Sequence, residues 1–262
     1  MFPTENVQPQ NQDPRKMCIL SQPKVGKTEL LSKLPNCLNI DLENSADFYG
    51  GMYIKIHDVK RNLESEHKKE FTLLQAYLYT IKNLKEAIQT KKVSYDYIAI
   101  DTTSALEELA KDFGLIKYRN TPMGKSFKGT DIYTLAQGGG YGWVRSAFKE
   151  LYEMLSGCYN KGLILMSHSK PGSIVKDGAE LSVQDINLTG KLKLLVTSDM
   201  DAVGFLHRNK EGDKNLLSFK TNERTAAIGS RCKHLQNTEL IISEMKDGEL
   251  LTHWEKVYQT LK

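Results

Sequence analysis

The tightest constraint on this chain is an octapeptide, SQPKVGKT at residues 21–28, lodged between two patterns of different period. Before it stands a short apolar run, KMCIL; behind it Leu30, Leu31 and Leu34 share one helical face. A strand that turns directly into a helix through such a loop meets the phosphate-binding pattern GxxxxGK[ST] everywhere except at its first position, where Ser21 replaces glycine. In that pattern a small residue turns the chain off the strand. The backbone of Gln22, Pro23, Lys24, Val25 and Gly26 wraps phosphate oxygens, Gly26 permitting the close approach. Lys27 then reaches the β- and γ-phosphates, and Thr28 offers its hydroxyl to Mg²⁺. A second GKS, at residues 124–126, has no strand before it and lies in a glycine- and lysine-rich stretch, so it reads as chance.

Apolar runs and amphipathic segments alternate along the chain. Residues 37–42 (CLNIDL), 95–101 (YDYIAID) and 163–166 read as further strands, and 71–90, 103–118 and 141–159 as helices. A polar stretch follows the second strand. Residues 119–140 read as a flexible loop ending in three glycines, and 171–199 as a loop with a mixed segment. Residues 202–208 and 215–220 form a hairpin pattern, and the spacing predicts a helix from about residue 250. Such alternation predicts an α/β fold, a mostly parallel sheet flanked by helices, with a C-terminal hairpin and helix. Residues 1–14 are expected to be a disordered polar tail and residues 15–262 a single domain.

Composition removes other classes. The 262 residues are 40% hydrophobic and 26% charged, ordinary for a globular protein, and 36 Lys+Arg against 32 Asp+Glu leave a net charge of only +4. The four cysteines show neither metal-pair nor disulfide-framework spacing, so reduced thiols and a cytoplasmic location are expected. No apolar run approaches the ~20 residues of a membrane span.

Polar residues at strand ends complete the candidate site. Asp101 closes YIAI, where a carboxylate at a parallel sheet's carboxyl edge suits the Mg²⁺ shell; its alternative is an ordinary turn aspartate. Glu43 leaves the second strand just past Asp41, placed to orient or deprotonate water, or else a solvated loop acid. His168, after LILMS, stands where a γ-phosphate would be sensed, with Ser167 beside it.

Taken in order, these pieces resemble the RecA-like branch of P-loop ATPases: IDLENSADFYGG looks like the strand delivering the catalytic glutamate, and IAIDTTSALEEL like the Walker-B strand and its helix. More narrowly, GYGWVRSAFKEL followed by LILMSHSK is similar to phage P-loop nucleotide-binding proteins of single-strand annealing and replication modules. The resemblance implies binding of ATP and Mg²⁺, with Lys27 and Thr28 on phosphate and metal, Asp101 in the metal shell, Glu43 activating water and His168 sensing the γ-phosphate. It implies a homo-oligomer, single-stranded DNA as partner, an annealing or replication protein alongside, and a host cytoplasm if phage-encoded. Arg224 and Arg231, in a stretch where seven Lys+Arg face three acids, are candidates for a cation supplied to a neighbour. The segments 119–140, with Lys125, Phe127 and Lys128, and 169–190, with Lys170 and Lys176, are candidate DNA loops. Two alternatives remain open: a P-loop phosphotransferase such as a nucleotide kinase, and a nucleotide-gated loader or scaffold with negligible hydrolysis.

Overall fold

A computed structural model describes residues 11–176, 179–220 and 228–261. Its elements run β1 (Lys16–Ser21), α1 (Lys27–Ser32), β2 (Cys37–Asp41), β3 (Met52–Lys55), α2 (Ile56–His67), α3 (Leu73–Gln89), β4 (Tyr97–Asp101), α4 (Thr103–Arg119), α5 (Gly139–Glu153), β5 (Gly162–Lys176), β6 (Ala179–Ile186), α6 (Leu192–Asp199), β7 (Ala202–Arg208), β8 (Lys214–Ser218), β9 (Gly229–Ser230), β10 (Glu239–Lys246) and β11 (Glu249–Thr252). The strands form a sheet in the order β11-β10-β8-β7-β1-β5-β4-β2-β3, with β6 on β5 and β9 on β7. From β7 through β3 every neighbouring pair on this path is parallel, and β8, β10 and β11 add an antiparallel flank. This is the expected α/β architecture.

Period-two alternation along the central strands sorts their side chains between two cores. Cys18, Leu20, Ile98, Ile100, Leu163 and Leu165 face α2 to α6, while Met17, Ile19, Ala99, Ile164 and Met166 face α1 and the C-terminal segment. Both faces are covered, which is why these strands read as continuous apolar runs. The Trp254 indole packs in the second core and its Nε1 donates to Leu30 O at 3.0 Å, tying the end of the chain to the helix behind the octapeptide.

Several expectations need correction. Among the described residues no α-helix closes the chain: β10 and β11 form a hairpin over Asp247 and Gly248, both at positive φ (54° and 84°), followed by short 3-10 turns. Asp-Gly is a strong two-residue hairpin signal, and the turn it makes carries Glu249–Thr252 back along β10 as a strand. The polar stretch after β2 contains β3 and α2, whose Ile56, Val59 and Leu63 turn one face to the core. The segment 119–140 is packed rather than loose. Ile132 is buried, and a Cβ on Gly140 would lie 2.0 Å from Ile132 O, so that glycine marks a close backbone approach. The expected loop after residue 171 is largely a hairpin of β5 with β6, and the mixed segment before residue 199 is α6. At the start, the Asp13 carboxylate accepts from the N–H groups of Gln259 and Thr260 (2.8 and 3.0 Å), so the packed body reaches back to Asp13.

Candidate functional site at the carboxyl edge of the sheet

The carboxyl ends of β1, β2 and β4 meet the middle of β5 at one place because these strands are parallel and in register: Ser21 lies opposite His168, and Asp41 opposite Asp101. The octapeptide leaves β1 there. Lys24 (φ 64°) and Gly26 (φ 101°) both adopt the left-handed region, alternation of the kind that turns successive N–H groups toward one concavity. Gly26 O accepts from Leu30 N at 2.9 Å, the first hydrogen bond of α1. Gln22, Pro23 and Lys24 are exposed at the surface, whereas Ser21 is buried.

Ser21 occupies the place of the first glycine without strain, and its hydroxyl has a use there. Ser21 Oγ accepts from Lys27 Nζ (3.1 Å) and donates to Gln22 O (2.9 Å). Lys27 Nζ also donates to Gln22 O (3.3 Å) and lies 3.2 Å from His168 Nδ1. Burial lowers the Lys27 ammonium from its ordinary value, while the charges of Asp101 and Glu43 pull it back upward. Around Lys27, then, are acceptors of the kind that phosphate oxygens supply.

Thr28 Oγ1 donates to Asp101 Oδ2 at 2.7 Å, and Ser45 Oγ reaches the same oxygen at 3.3 Å and Thr28 Oγ1 at 3.1 Å. Burial drives the Asp101 carboxyl above the usual aspartate range; the Thr28 hydrogen bond and the Lys27 charge oppose that, and the Glu43 charge adds to it. Three hard oxygens within mutual contact suit Mg²⁺, which usually takes one or two protein carboxylates and completes its shell with water and phosphate oxygens. The donor set therefore fits that metal.

Glu43 stands on a turn built by Asp41. Fully buried, Asp41 accepts from Glu43 N through Oδ1 (2.9 Å) and from Ala46 N through Oδ2 (2.8 Å), while Asn44 takes positive φ (58°). Glu43 Oε1 accepts from Thr102 Oγ1 at 2.5 Å, and Oε2 lies 3.2 Å from His168 Nε2. Burial pushes the Glu43 carboxyl up, but hydrogen bonds from His168 and Thr102 and the charges of His168 and Lys27 prevail and hold it below the usual glutamate range. His168 thus bridges Lys27 and Glu43. An ammonium donor at Nδ1 leaves Nε2 as the ring nitrogen that faces Glu43 and can donate to it. Beyond His168, β5 leaves β1 and β4 and pairs with β6, and His168 O accepts from Asn187 N (2.9 Å) at the base of that hairpin.

The sequence pointed to Lys27, Thr28, Glu43, Asp101 and His168, and the structure brings them together. Ser45, Thr102 and Arg208 were not anticipated; Arg208 Nη2 donates to Lys24 O (3.3 Å) from β7. Thr102 follows Asp101 and Ser45 lies two residues past Glu43, so both had a local signal, whereas Arg208 had none. Ser167, named beside His168, instead accepts from Thr103 Oγ1 (2.8 Å) in the interior. Arg231 lies at the opposite edge, its Nη2 donating to Ser198 O (2.7 Å) and its guanidinium paired with Asp201, which receives the N–H groups of Arg15 and Lys16 at the amino end of β1. Arg224 falls outside the described residues. Lys125 and Lys128 are exposed, but Phe127 is packed edge-on against Tyr118 (5.6 Å between centroids) rather than free to stack a base.

Strand, left-handed loop, buried lysine and hydroxyl, with a strand-end aspartate opposite, define a P-loop NTPase. The chain belongs to a family of that class: the family model described as an AAA domain matches residues 13–232. No curated protein matches the sequence. The crystal structure of the RadB recombinase is similar with a TM-score of 0.41 at 10% identity, over 91% of each chain. Among the described residues no helix is long and apolar enough to cross a membrane.

Proposed function

We propose that this protein is a Mg²⁺-dependent ATPase of RecA-like type that acts with single-stranded DNA in phage recombination or replication. The observation carrying the catalytic part is the convergence of Lys27, Thr28, Asp101, Glu43 and His168 on the open loop, each in contact with at least one of the others. In this reading Lys27 gives up Ser21, Gln22 O and His168 for the β- and γ-phosphate oxygens. Thr28 and Asp101, with Ser45, hold Mg²⁺, which neutralises charge on the phosphates when bound. Glu43 is ionised and accepts a hydrogen bond from the attacking water. Its depressed pKa makes it first an orienting acceptor and second a base. His168, released from Lys27 by the arriving phosphate, reports that event to Glu43 on one side and to the hairpin base on the other.

The DNA part is supported by the hairpin that begins one residue past His168 and by the exposed Lys125 and Lys128. The phage assignment, the oligomer and an annealing or replication partner rest on the sequence resemblance. Phosphate release measured for wild type, Lys27→Ala and Glu43→Gln, with and without single-stranded DNA, tests the reading. We expect release stimulated by DNA, abolished by Lys27→Ala, and lowered by on the order of 10²–10⁴-fold in Glu43→Gln with ATP binding retained. Phosphoryl transfer to a small acceptor would indicate a kinase, and binding without release a nucleotide-gated loader.

A further inference from the structure

The phosphate loop hangs from β1, and β1 has different company on its two sides. Glu43, Asp101 and His168 come from β2, β4 and β5, all on one side; β7, β8 and β10 lie on the other. A triphosphate laid along the loop with its terminal phosphate at Glu43 and His168 must direct its nucleoside toward the second side. There the structure has a cleft of about 310 Å³, bounded by the loop itself and by residues of β7, β8, β10 and β11. That volume is at the lower end of the range for small-molecule sites.

We infer that this cleft receives the nucleoside end of the nucleotide and that Asn215 is the residue that reads it, an inference resting on the ATPase proposal above. Asn215 stands on β8, opposite Arg208 of β7. Its Nδ2 donates to Ser243 Oγ (3.0 Å) and lies 3.8 Å from where a Cβ on Gly26 would be, so the amide is held against the loop. Its carbonyl oxygen has no partner among the described residues and is free to accept from a base amine or a ribose hydroxyl. Apolar surface comes from Tyr49 and from Met245 and Leu250, a cross-strand pair at the β10–β11 hairpin. Glu29, Asp213 and Glu244 also line the cleft. Carboxylates repel phosphate but accept from hydroxyls and amines, so these three suit the end of the nucleotide that the topology directs here, while the cations Lys24 and Arg208 stand at the loop side. Arg208, hydrogen-bonded to Lys24 O, stands where the cleft meets the loop.

The test compares MgATP with tripolyphosphate, which carries the phosphates without a nucleoside, by calorimetry and competition on the full chain. Asn215→Leu should weaken MgATP binding about three- to tenfold, the loss of one hydrogen bond, and leave tripolyphosphate binding unchanged. Met245→Trp, at a position 55% exposed and hence tolerant of the larger side chain, should weaken MgATP alone by filling the cleft. Variants that bind both ligands as wild type does, or lose both in parallel, would overturn the inference while leaving the loop's role intact. Wild-type protein that binds neither ligand would overturn the ATPase reading itself, and the inference with it.

Discussion

Asp101 shows how the site trades stability for chemistry. Its carboxyl is buried beside Glu43, and burial lifts its pKa above the aspartate range, so the native state holds that proton more tightly than the unfolded chain. By linkage, its contribution to stability is fullest below the ordinary aspartate value and falls as pH rises through the raised one. Glu43 runs the other way: its depressed pKa adds stability above the ordinary glutamate value, lost as pH falls through the folded one. Replacing Asp101 by Asn should therefore give a protein at least as resistant to heat as wild type at neutral pH, an advantage that shrinks in acid, with Mg²⁺-dependent phosphate release lost. Thermal unfolding of both proteins across pH 3 to 8 (about that span brackets both carboxyls) checks the sign; a destabilised variant at neutral pH would contradict it. Lys27, Thr28 and Asp101 were legible because a phosphate loop and a strand-end acid are local patterns. Asp41 carries no such local pattern: its oxygens are spent on the turn that aims Glu43, a role visible only once Glu43 N and Ala46 N are placed.

Among the elements, α1 is the one the site can least do without, and it has only six residues. A helix that short is unstable alone, so tertiary contacts must hold it. Leu30 and Leu31 are buried against the sheet, and the Trp254 indole, 2% exposed, closes over them with its hydrogen bond to Leu30 O. Trp254→Ala should cost about 3–5 kcal/mol of stability and weaken nucleotide binding although Trp254 lies outside the site; chemical denaturation and calorimetry measure the two effects. Elements with one dominant periodicity were readable: β1, β2, β4, α3 and α4 lie within a few residues of the expected places. Missed elements had mixed signals. In α2 the stripe of Ile56, Val59 and Leu63 is diluted by charged neighbours, and in the β10–β11 hairpin the turn at Asp247 and Gly248 separates two strands of which the second has only four residues.

For the whole molecule, a net charge of +4 makes any affinity for DNA depend on where the lysines are rather than on how many there are. Lys125 and Lys128 stand exposed on the packed segment between α4 and α5, and that segment is held to the start of α4 by Glu107, whose Oε1 accepts from Tyr133 and Oε2 from Thr189 N (3.0 and 3.3 Å). Both candidate DNA segments are thereby anchored to the helix that follows Asp101. Changing Lys125 and Lys128 together to Glu should reduce DNA-stimulated phosphate release, keep the unstimulated rate, and flatten the salt dependence of binding by about 0.7 for each DNA phosphate left without its lysine. Fluorescence anisotropy at several salt concentrations measures this, and an unchanged slope would move the DNA site elsewhere. The sequence by itself determined the alternation of strand and helix, the phosphate loop and the acids at the strand ends, because each is written in residues that are neighbours along the chain or one helical turn apart. Only the tertiary structure decided that β5 stands between β1 and β4, that His168 joins Lys27 to Glu43, and that a cleft opens between the loop and the antiparallel flank. Those arrangements join residues some twenty to well over a hundred positions apart, set by strand order and by burial on both faces of the sheet, and no local pattern encodes them.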